Sequence, residues 1–172
     1  MSTAVLSIGS NLGDRLAHLQ SAADAMRPWL RAVSPIYETA PWGPIEQDGY
    51  LNAVLVVTDA DATAKEWLAR AESAEQAAGR TRDVRWGPRT LDVDVIAVDD
   101  VTSDDLAITL PHPRAAERAF VLVPWLEADP MAVLPGRGAV ADLLRGTGTA
   151  GIQRLDGVAL ALPAVAGREA DQ

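Results

Sequence analysis

Apolar and polar residues alternate along the chain with two periods, one typical of strands and one typical of helices. Residues 3–8 form an apolar run that predicts a buried strand. Apolar residues then recur at every third or fourth position over 12–30, which predicts a helix. Residues 33–39 and 50–59 are rich in β-branched and aromatic side chains and predict two further strands. Because side chains alternate between the two faces of a strand, Tyr50 and Asn52 are expected to share one face.

The second half of the chain adds one clear helix and one clear strand. Thr63 and Glu66 have the spacing of a capping box, and apolar residues keep the helical period until Gly79. Residues 91–98 predict a strand, and residues 115–127 predict a partly helical segment. The remainder of the chain is interrupted by proline and glycine and predicts little regular structure.

The order of these elements indicates the fold class. Strand, helix, strand, strand, helix and strand in succession predict an α+β protein with a ferredoxin-like fold, in which helices cover a largely antiparallel sheet. The length of 172 residues fits one domain. We therefore expect a single domain over residues 1–172, with residues from about 160 to 172 as a frayed tail.

The composition excludes several classes of protein. The chain contains no cysteine and two histidines, which excludes a disulfide framework and disfavours a zinc site. A net charge of −9 repels a polyanionic backbone, so we expect no nucleic-acid partner. The chain shows no signal-peptide pattern and no apolar run that could span a membrane, and we expect a cytoplasmic protein without a membrane partner. Lys65 is the one lysine and follows no glycine-rich segment, so arginines and a metal would have to bind any nucleotide.

One short segment is strongly basic in this acidic chain. Residues 79–90 contain a single aspartate and four arginines, namely Arg80, Arg82, Arg85 and Arg89. Guanidinium groups bind phosphate oxygens at two points, so this segment is a plausible clamp for a polyphosphate. A solvated basic loop that pairs with the acidic surface is the alternative interpretation.

Two aspartates follow on the next predicted strand. Asp92 and Asp94 are two residues apart, so a strand places both carboxylates on one face, about 7 Å apart. This arrangement of like charges is unfavourable without a cation, and hard oxygen ligands suit Mg²⁺ together with substrate phosphates. Surface acids on an exposed strand are the alternative, and the neighbouring arginines favour the metal site.

A third group of residues could recognise a flat ring. Four of its members lie at the end of the predicted strand 33–39, just after it, or at the start of the predicted strand 50–59: Thr39, Trp42, Tyr50 and Asn52. Tyr50 and Phe120 could enclose a heterocycle while Asn52 hydrogen-bonds to its edge. The residues alone equally allow both aromatic side chains to belong to the core. His112 lies between two prolines, where a structural role is the more common one, and Arg118 follows six residues later.

These motifs together resemble one enzyme family. They are Gly9-Ser10-Asn11-Leu12-Gly13-Asp14, Tyr50-Leu51-Asn52, Arg85-Trp86-Gly87-Pro88-Arg89-Thr90-Leu91-Asp92-Val93-Asp94, and Pro111-His112 with Arg118 and Phe120. From about Val5 to Pro130 the chain resembles the 6-hydroxymethyl-7,8-dihydropterin pyrophosphokinases of folate biosynthesis. The resemblance implies a Mg²⁺-dependent diphosphokinase with a ferredoxin-like fold and flexible catalytic loops. Such an enzyme transfers the β,γ-pyrophosphoryl group of ATP to the pterin hydroxymethyl group and releases AMP.

The resemblance also implies roles for the candidate residues. Asp92 and Asp94 would hold two Mg²⁺ ions and, with Arg82 and Arg89, would form the catalytic group. Pterin binding is implied for Thr39, Trp42, Tyr50, Asn52 and Phe120. ATP binding is implied for Glu75, Arg80, Arg82, Arg85, Trp86, Arg89, Thr109, His112 and Arg118. The implied partners are the two small-molecule substrates, and we expect a monomer.

The chain departs from the family pattern at a few positions. The basic loop is one residue short, which affects the alignment of Arg80 and Arg82 more than that of Arg89. Glu72 and Pro113 stand where a glutamine and an aromatic residue are expected. Two other functions remain as alternatives, a metal-dependent nucleotidyltransferase with paired aspartates and a non-catalytic module that senses a nucleotide. The arginine segment and the candidate aromatic pair disfavour both.

Overall fold

The computed structural model describes residues 1–40, 49–79 and 90–162. The strands in these ranges are β1 (Ser2–Ser10), β2 (Leu30–Val33), β3 (Tyr37–Thr39), β4 (Tyr50–Asp59), β5 (Asp92–Val98), β6 (Val133–Leu134), β7 (Gly138–Ala139) and β8 (Ile152–Arg154). The α-helices are α1 (Arg15–Ala25), α2 (Ala64–Ala77), α3 (Ala119–Ala128) and α4 (Val140–Thr147). Short 3-10 turns occupy Arg27–Trp29 and Ala115–Glu117.

Six of the strands form one antiparallel sheet. Its order is β5-β1-β4-β3-β8, and β2 pairs with the part of β4 that β3 leaves unpaired. All of these pairings are antiparallel. The remaining strands, β6 and β7, form a separate two-stranded ribbon. The sheet and the four helices confirm the α+β class predicted from the sequence.

The alternation of side chains along β1 and β4 separates two hydrophobic cores. Leu6, Ile8 and Leu55 point to one face, where they pack with α1 and α2. Val5 and Val54 point to the other face, where they pack with α3 and α4. The sheet therefore lies between two layers of helices. Any polar residue in phase with Val5 or Val54 lies on the face that α3 covers.

Helix α2 begins at the predicted capping box, and Trp67 packs it against the sheet. The Thr63 hydroxyl accepts from the Glu66 amide, and the Glu66 carboxylate accepts from the Thr63 amide. Trp67 is fully buried and donates from Nε1 to the Ser2 hydroxyl at 2.9 Å. The Arg70 guanidinium lies 3.8 Å from the ring centroid of Trp29, so α2 is also tied to the segment that follows α1.

Two of the predicted elements are shorter than the sequence pattern indicated. The predicted helix over 12–30 is wrong beyond Ala25, because Pro28 cannot continue the helix and the chain enters a 3-10 turn and then β2. Of the predicted strand over 33–39, Val33 is the last residue of β2 and Tyr37–Thr39 form β3; Pro35 between them has no N–H for the sheet. Ser34 bridges this break, because its amide donates to the Val54 carbonyl and its hydroxyl accepts from the Val54 amide.

The part of the chain after residue 130 is more regular than its glycine and proline content predicted. It contains α4, which packs on the second core through Val140, and β8, which pairs with β3. Leu160 is buried in the first core, and the Gln20 side chain exchanges two hydrogen bonds with the Ala161 backbone. The expected tail over 160–172 thus begins with packed residues, and 163–172 lie outside the described ranges. None of the helices in the described part of the chain is both long and apolar enough to cross a bilayer.

Candidate functional site

The two aspartates lie on β5, on the sheet face covered by α3. Asp94 is opposite Ser7 and Asp92 is opposite Gly9 in the pairing with β1. Both positions are in phase with Val5, so both carboxylates share the α3 face as the spacing predicted. Both residues are half-buried. Within the described ranges, no three His, Asp or Glu side chains cluster as a complete metal site. Two carboxylates by themselves occupy only part of the coordination shell of a cation such as Mg²⁺, which commonly completes it with substrate and water oxygens.

A cavity of about 300 Å³ lies beside Asp94, between α2 and the segment that follows β5. Its polar and charged lining residues are Glu72, Glu75, Asp94, Thr109 and His112. Pro113 also lines it, together with apolar residues of α2, β5 and the 107–108 segment. Glu75 is 5% exposed, and its Oε2 accepts a hydrogen bond from the Val93 amide. The structure thus brings Glu75, Thr109 and His112, three of the expected ATP ligands, to one cavity next to Asp94.

His112 is held by its backbone and by one ring nitrogen. Its amide donates to the Ile96 carbonyl at 2.8 Å, and its Nδ1 accepts from the Arg114 amide at 3.2 Å. Burial lowers the pKa of His112 to about 4, and the positive charges of Arg118 and Arg114 act in the same direction. The ring is therefore neutral at pH 7. Because Nδ1 is an acceptor, the proton lies on Nε2, which can donate to an anionic ligand.

Arg118 stands at the beginning of α3 and connects the aspartates with the aromatic residue expected to bind the pterin. Its guanidinium lies 5.4 Å from the ring centroid of Phe120. Burial lowers the pKa of Arg118, whereas the carboxylates of Asp94 and Asp92 raise it. An arginine stays charged at neutral pH in either case. Its positive charge is thus placed close to both aspartates.

A polar slot lies on the same sheet face, where β3 ends and β4 begins. Asn52 is 4% exposed and donates from Nδ2 to the Thr39 hydroxyl at 3.0 Å. A Cβ placed on Gly9 would lie 3.3 Å from Asn52 Oδ1 and 3.5 Å from a ring carbon of Tyr50. The side chains of Asn52 and Tyr50 therefore extend over Gly9 of β1. This leaves the amide oxygen of Asn52 above the neighbouring strand, where it can accept from a ligand.

One row of residues across the sheet connects the slot with the aspartates. Asp92 is opposite Gly9, Gly9 is opposite Asn52, and Asn52 is opposite Tyr37. The buried Tyr37 hydroxyl donates to Glu127 of α3 at 3.2 Å. Burial raises the pKa of Tyr37, and the adjacent Glu127 carboxylate raises it further. Sequence reasoning assigned no role to Gly9 or Tyr37. Alternation along β4 predicted that Tyr50 and Asn52 share one face. Gly9 could be added to this group only after the pairing of β1 with β4 was known.

Phe120 is the expected pterin contact on α3. Phe120 lies on α3, half-buried against the second core, and thus faces the same side of the sheet as Asn52 and Tyr50. The remaining expected ligands fall outside the described residues: Trp42, Arg80, Arg82, Arg85, Trp86 and Arg89.

The family is decided by comparison with known proteins. The family model for 7,8-dihydro-6-hydroxymethylpterin-pyrophosphokinase (HPPK) matches residues 5–130. The chain belongs to the HPPK family. This confirms the family expected from the motifs. The match ends before β6, so the HPPK pattern includes the aspartates, the cavity and the polar slot but not α4 or β8.

Curated relatives carry the same enzyme name over most of their length. A Mycobacterium tuberculosis protein named 2-amino-4-hydroxy-6-hydroxymethyldihydropteridine pyrophosphokinase is 51% identical over 154 residues, which cover 84% of this chain and 82% of that protein. A protein of the same name from Methylorubrum extorquens is 41% identical over 160 residues, which cover 91% of this chain and 100% of the relative.

A solved structure is similar in fold. It is the Plasmodium falciparum HPPK-DHPS S436F/A437G/A613T triple mutant with STZ-DHP, with a TM-score of 0.65 and 12% sequence identity. The similarity covers 84% of this chain, which spans 43% of the length of the Plasmodium chain. At this identity the likeness concerns the fold alone.

Proposed function

We propose that the chain transfers the β,γ-pyrophosphoryl group of ATP to the hydroxymethyl oxygen of 6-hydroxymethyl-7,8-dihydropterin, giving the pterin diphosphate and AMP. Membership of the HPPK family supports pyrophosphoryl transfer from ATP to this pterin in folate biosynthesis. The structural observation that carries the assignment to particular residues is the convergence of two sites. The cavity and the polar slot meet at the aspartate pair on β5, through Asp94 on one side and the Asp92–Gly9–Asn52 row on the other.

The polar slot is our proposed pterin site. Tyr50 and Phe120 would lie against the two faces of the flat ring, and the Asn52 amide oxygen would accept from a ring N–H. The Thr39 hydroxyl and the Tyr50 carbonyl both accept from Nδ2 of that amide, and the carbonyl, which cannot donate, fixes its orientation. Trp42, outside the described residues, is proposed as a further pterin contact.

The cavity beside Asp94 is our proposed nucleotide site. His112 would donate from Nε2 to an oxygen of ATP, and Thr109 and Glu75 of the same cavity would provide further polar contacts. Arg118, whose charge acts on His112, is proposed as an ATP contact from outside the cavity lining. A neutral histidine suits this position because its donor does not depend on protonation near pH 7. Glu72 is placed in the same cavity, and its carboxylate can accept from an exocyclic amine of the base.

Asp92 and Asp94 fit a magnesium site, and we propose that they hold two Mg²⁺ ions together with the substrate phosphates. Two carboxylates on one strand face provide the hard oxygen donors that Mg²⁺ prefers, and the adjacent cavity leaves room for phosphate oxygens. When bound, these ions would neutralise charge on the triphosphate and align the in-line displacement.

The displacement requires positive charge on the side of the leaving group. The pterin hydroxyl oxygen forms a bond to the β-phosphorus and releases its proton to solvent, while the bond from that phosphorus to the oxygen of AMP breaks and AMP leaves with the electron pair of that bond. Arg118 is close to the aspartates and can neutralise part of the negative charge on the leaving group. We propose that Arg82 and Arg89 stabilise the charge that develops in the transition state, with Arg80, Arg85 and Trp86 binding ATP, on loops that close over the substrates.

Several broader properties are also proposed. The sheet supports a ferredoxin-like fold, because α1 and α2 each connect two strands that are separated by one intervening strand. We propose a single domain over 1–172 that acts as a monomer in the cytoplasm on its two small-molecule substrates, with no nucleic-acid partner. The net charge of −9 supports the last point.

The experiment that tests the function is a product assay with ATP, Mg²⁺ and 6-hydroxymethyl-7,8-dihydropterin. We expect one equivalent of AMP for each pterin diphosphate, detected by anion-exchange chromatography. A nucleotidyltransferase would instead release pyrophosphate, and a nucleotide sensor would form no product. Omission of the pterin is the control, because hydrolysis of ATP alone would also produce AMP.

A further inference from the structure

The turn between β1 and α1 directs one arginine toward the end of the β3–β4 pair. Gly13 adopts a left-handed conformation, with φ of 68°, and Asp14 caps the helix by accepting from the Ala17 amide at 3.0 Å. The first helical residue is therefore Arg15. This turn contains the second half of the Gly9–Asp14 motif, to which the reaction described above assigns no role.

Arg15 binds two separate strand ends at the same time. Its NH1 group donates to Glu38 Oε2 at 2.9 Å and to the Gly49 carbonyl oxygen at 2.8 Å. Glu38 belongs to β3, and Gly49 immediately precedes β4. The two strands approach closely here, because a Cβ on Gly49 would lie 2.7 Å from the Thr39 carbonyl oxygen. Arg15 thus stabilises the close approach of the β3 backbone at Thr39 to the backbone at Gly49, just before β4.

The residues next to these contacts form the polar slot. Thr39 follows Glu38, Tyr50 follows Gly49, and the two are opposite each other in the sheet. Thr39 also accepts a hydrogen bond from Asn52. We propose that Arg15 is a positioning residue for pterin binding, which holds the ends of β3 and β4 in the register that sets Thr39, Tyr50 and Asn52. This inference rests on the pterin site proposed above.

The local ion pairs in the described part of the chain differ from this one. Arg27 pairs with Asp24 three residues away, and their side chains are 52% and 48% exposed. Arg15 and Glu38 are 30% and 43% exposed and are 23 residues apart, and the second contact of Arg15 is 34 residues away. A local surface pair contributes little to structure, whereas a guanidinium that joins separate elements restricts their relative position.

The test compares Arg15→Met with Arg27→Met, which removes the exposed pair near the other end of the same helix. Calorimetry would measure pterin binding in the presence of a saturating non-hydrolysable ATP analogue, and MgATP binding without pterin. For Arg15→Met we expect pterin affinity to fall by about three- to tenfold, the equivalent of about one net hydrogen bond, with MgATP affinity unchanged. For Arg27→Met we expect no change in either. Arg15→Lys should restore part of the pterin affinity, since one charged donor remains.

The outcomes separate this inference from the proposed pterin site. Unchanged pterin affinity in Arg15→Met, or an equal loss for both ligands, overturns the positioning role. If Arg15→Met does not fold, Glu38→Gln takes its place, and we then expect a smaller loss that is again restricted to pterin. Asn52→Ala tests the slot itself. If Asn52→Ala leaves pterin affinity unchanged, the slot assignment fails, whereas a loss in Asn52→Ala without one in Arg15→Met rejects only the role of Arg15.

Discussion

Asn52 donates from its side-chain amide to the Thr39 hydroxyl across 3.0 Å and to the Tyr50 carbonyl across 3.4 Å. A carbonyl can only accept, so the second bond fixes which atom of the amide faces the neighbouring strand, and the shorter bond to Thr39 holds the amide in place. With Nδ2 bound to Thr39, Oδ1 is the atom that lies above Gly9. A buried amide that is oriented before the ligand arrives loses little freedom when it binds. The pair Asn52–Thr39 is therefore expected to determine how well the slot recognises a ring N–H.

Removal of the Thr39 hydroxyl tests how firmly the Asn52 amide must be held for pterin binding. In Thr39→Val the Asn52 amide keeps only its longer contact to the Tyr50 carbonyl, at 3.4 Å. We expect pterin affinity to fall by about three- to fivefold, and the free energy of unfolding to fall by about 1 kcal/mol, because a buried donor loses its partner. Calorimetric titration and urea unfolding measure the two effects. Thr39→Ser keeps the hydroxyl and serves as the control, and an equal loss in both variants would contradict the argument.

Gly9 is predicted to be essential for pterin binding, because any side chain at this position would press against Asn52. In Gly9→Ala the new methyl group meets Asn52 Oδ1 at 3.3 Å and displaces it by a few tenths of an ångström. We expect pterin affinity to fall by about tenfold, with a change of less than about 1 kcal/mol in stability. Gly146→Ala is the matched control, because nothing lies within 4 Å of its Cβ position in α4. That variant should keep full pterin affinity and gain about 0.5 kcal/mol from higher helix propensity.

The aspartate pair is predicted to be required for turnover but not for folding. In Asp94→Ala we expect turnover to fall below about one hundredth of the parent rate at all Mg²⁺ concentrations, because half of the carboxylate donor set is lost. Removal of one of two like charges on the same strand face does not destabilise the sheet, so the circular dichroism spectrum should stay native. Asp100→Ala, an exposed position after β5, is the control. Near-normal activity in Asp94→Ala would refute the magnesium assignment.

Phe120 is predicted to bind the pterin ring in addition to packing on the second core. Phe120→Leu keeps most of the apolar volume of this half-buried side chain but removes the ring. We expect pterin affinity to fall by about three- to tenfold, in line with a stacking contribution of about 0.5 to 1.5 kcal/mol, and ATP affinity to stay within about twofold. Thermal unfolding in parallel would show whether the core is affected. A large loss of stability with equal loss of both ligands would identify Phe120 as a core residue only.

His112 is predicted to make stability depend on pH. Its pKa is about 4 in the folded protein and about 6.5 in the unfolded chain, so the unfolded chain takes up a proton first as the pH falls. The free energy of unfolding should therefore be highest above pH 6.5 and decrease between pH 6.5 and 4. A decrease of about 2 kcal/mol is expected, reduced from the full value because the ring is partly exposed.

The measurement is urea unfolding of the parent protein, His112→Gln and His18→Gln at several pH values in this window. Replacement of His112 should remove most of the pH dependence, because a glutamine does not titrate. Replacement of His18, the other histidine, should leave it in place. If all three proteins lose stability in parallel as the pH falls, the carboxylates and not His112 are responsible.

Local structure and the type of chemistry could be predicted from the sequence. Residues with a period of two or of three to four must lie on one face of a strand or a helix, so β4, the capping box of α2 and the shared face of Asp92 and Asp94 could all be predicted. The residue types of the motifs also indicated the enzyme family. The structural conclusions depend only on neighbours in the chain, whereas the family was indicated by several motifs along it.

Contacts between residues that are distant along the chain became apparent only in the fold. Pairing of β1 with β4 puts Gly9 beneath Asn52, and the packing of α2 near the 107–113 segment joins Glu75 with His112 in one cavity. The Asn52 amide is held by Thr39 and Tyr50, and the position of these two residues depends in turn on Arg15. Each of these contacts joins residues from separate elements, and its geometry depends on how buried apolar faces pack against one another. A pattern along one segment contains no information about that packing, which is why α4 and β8 were also found only in the folded protein.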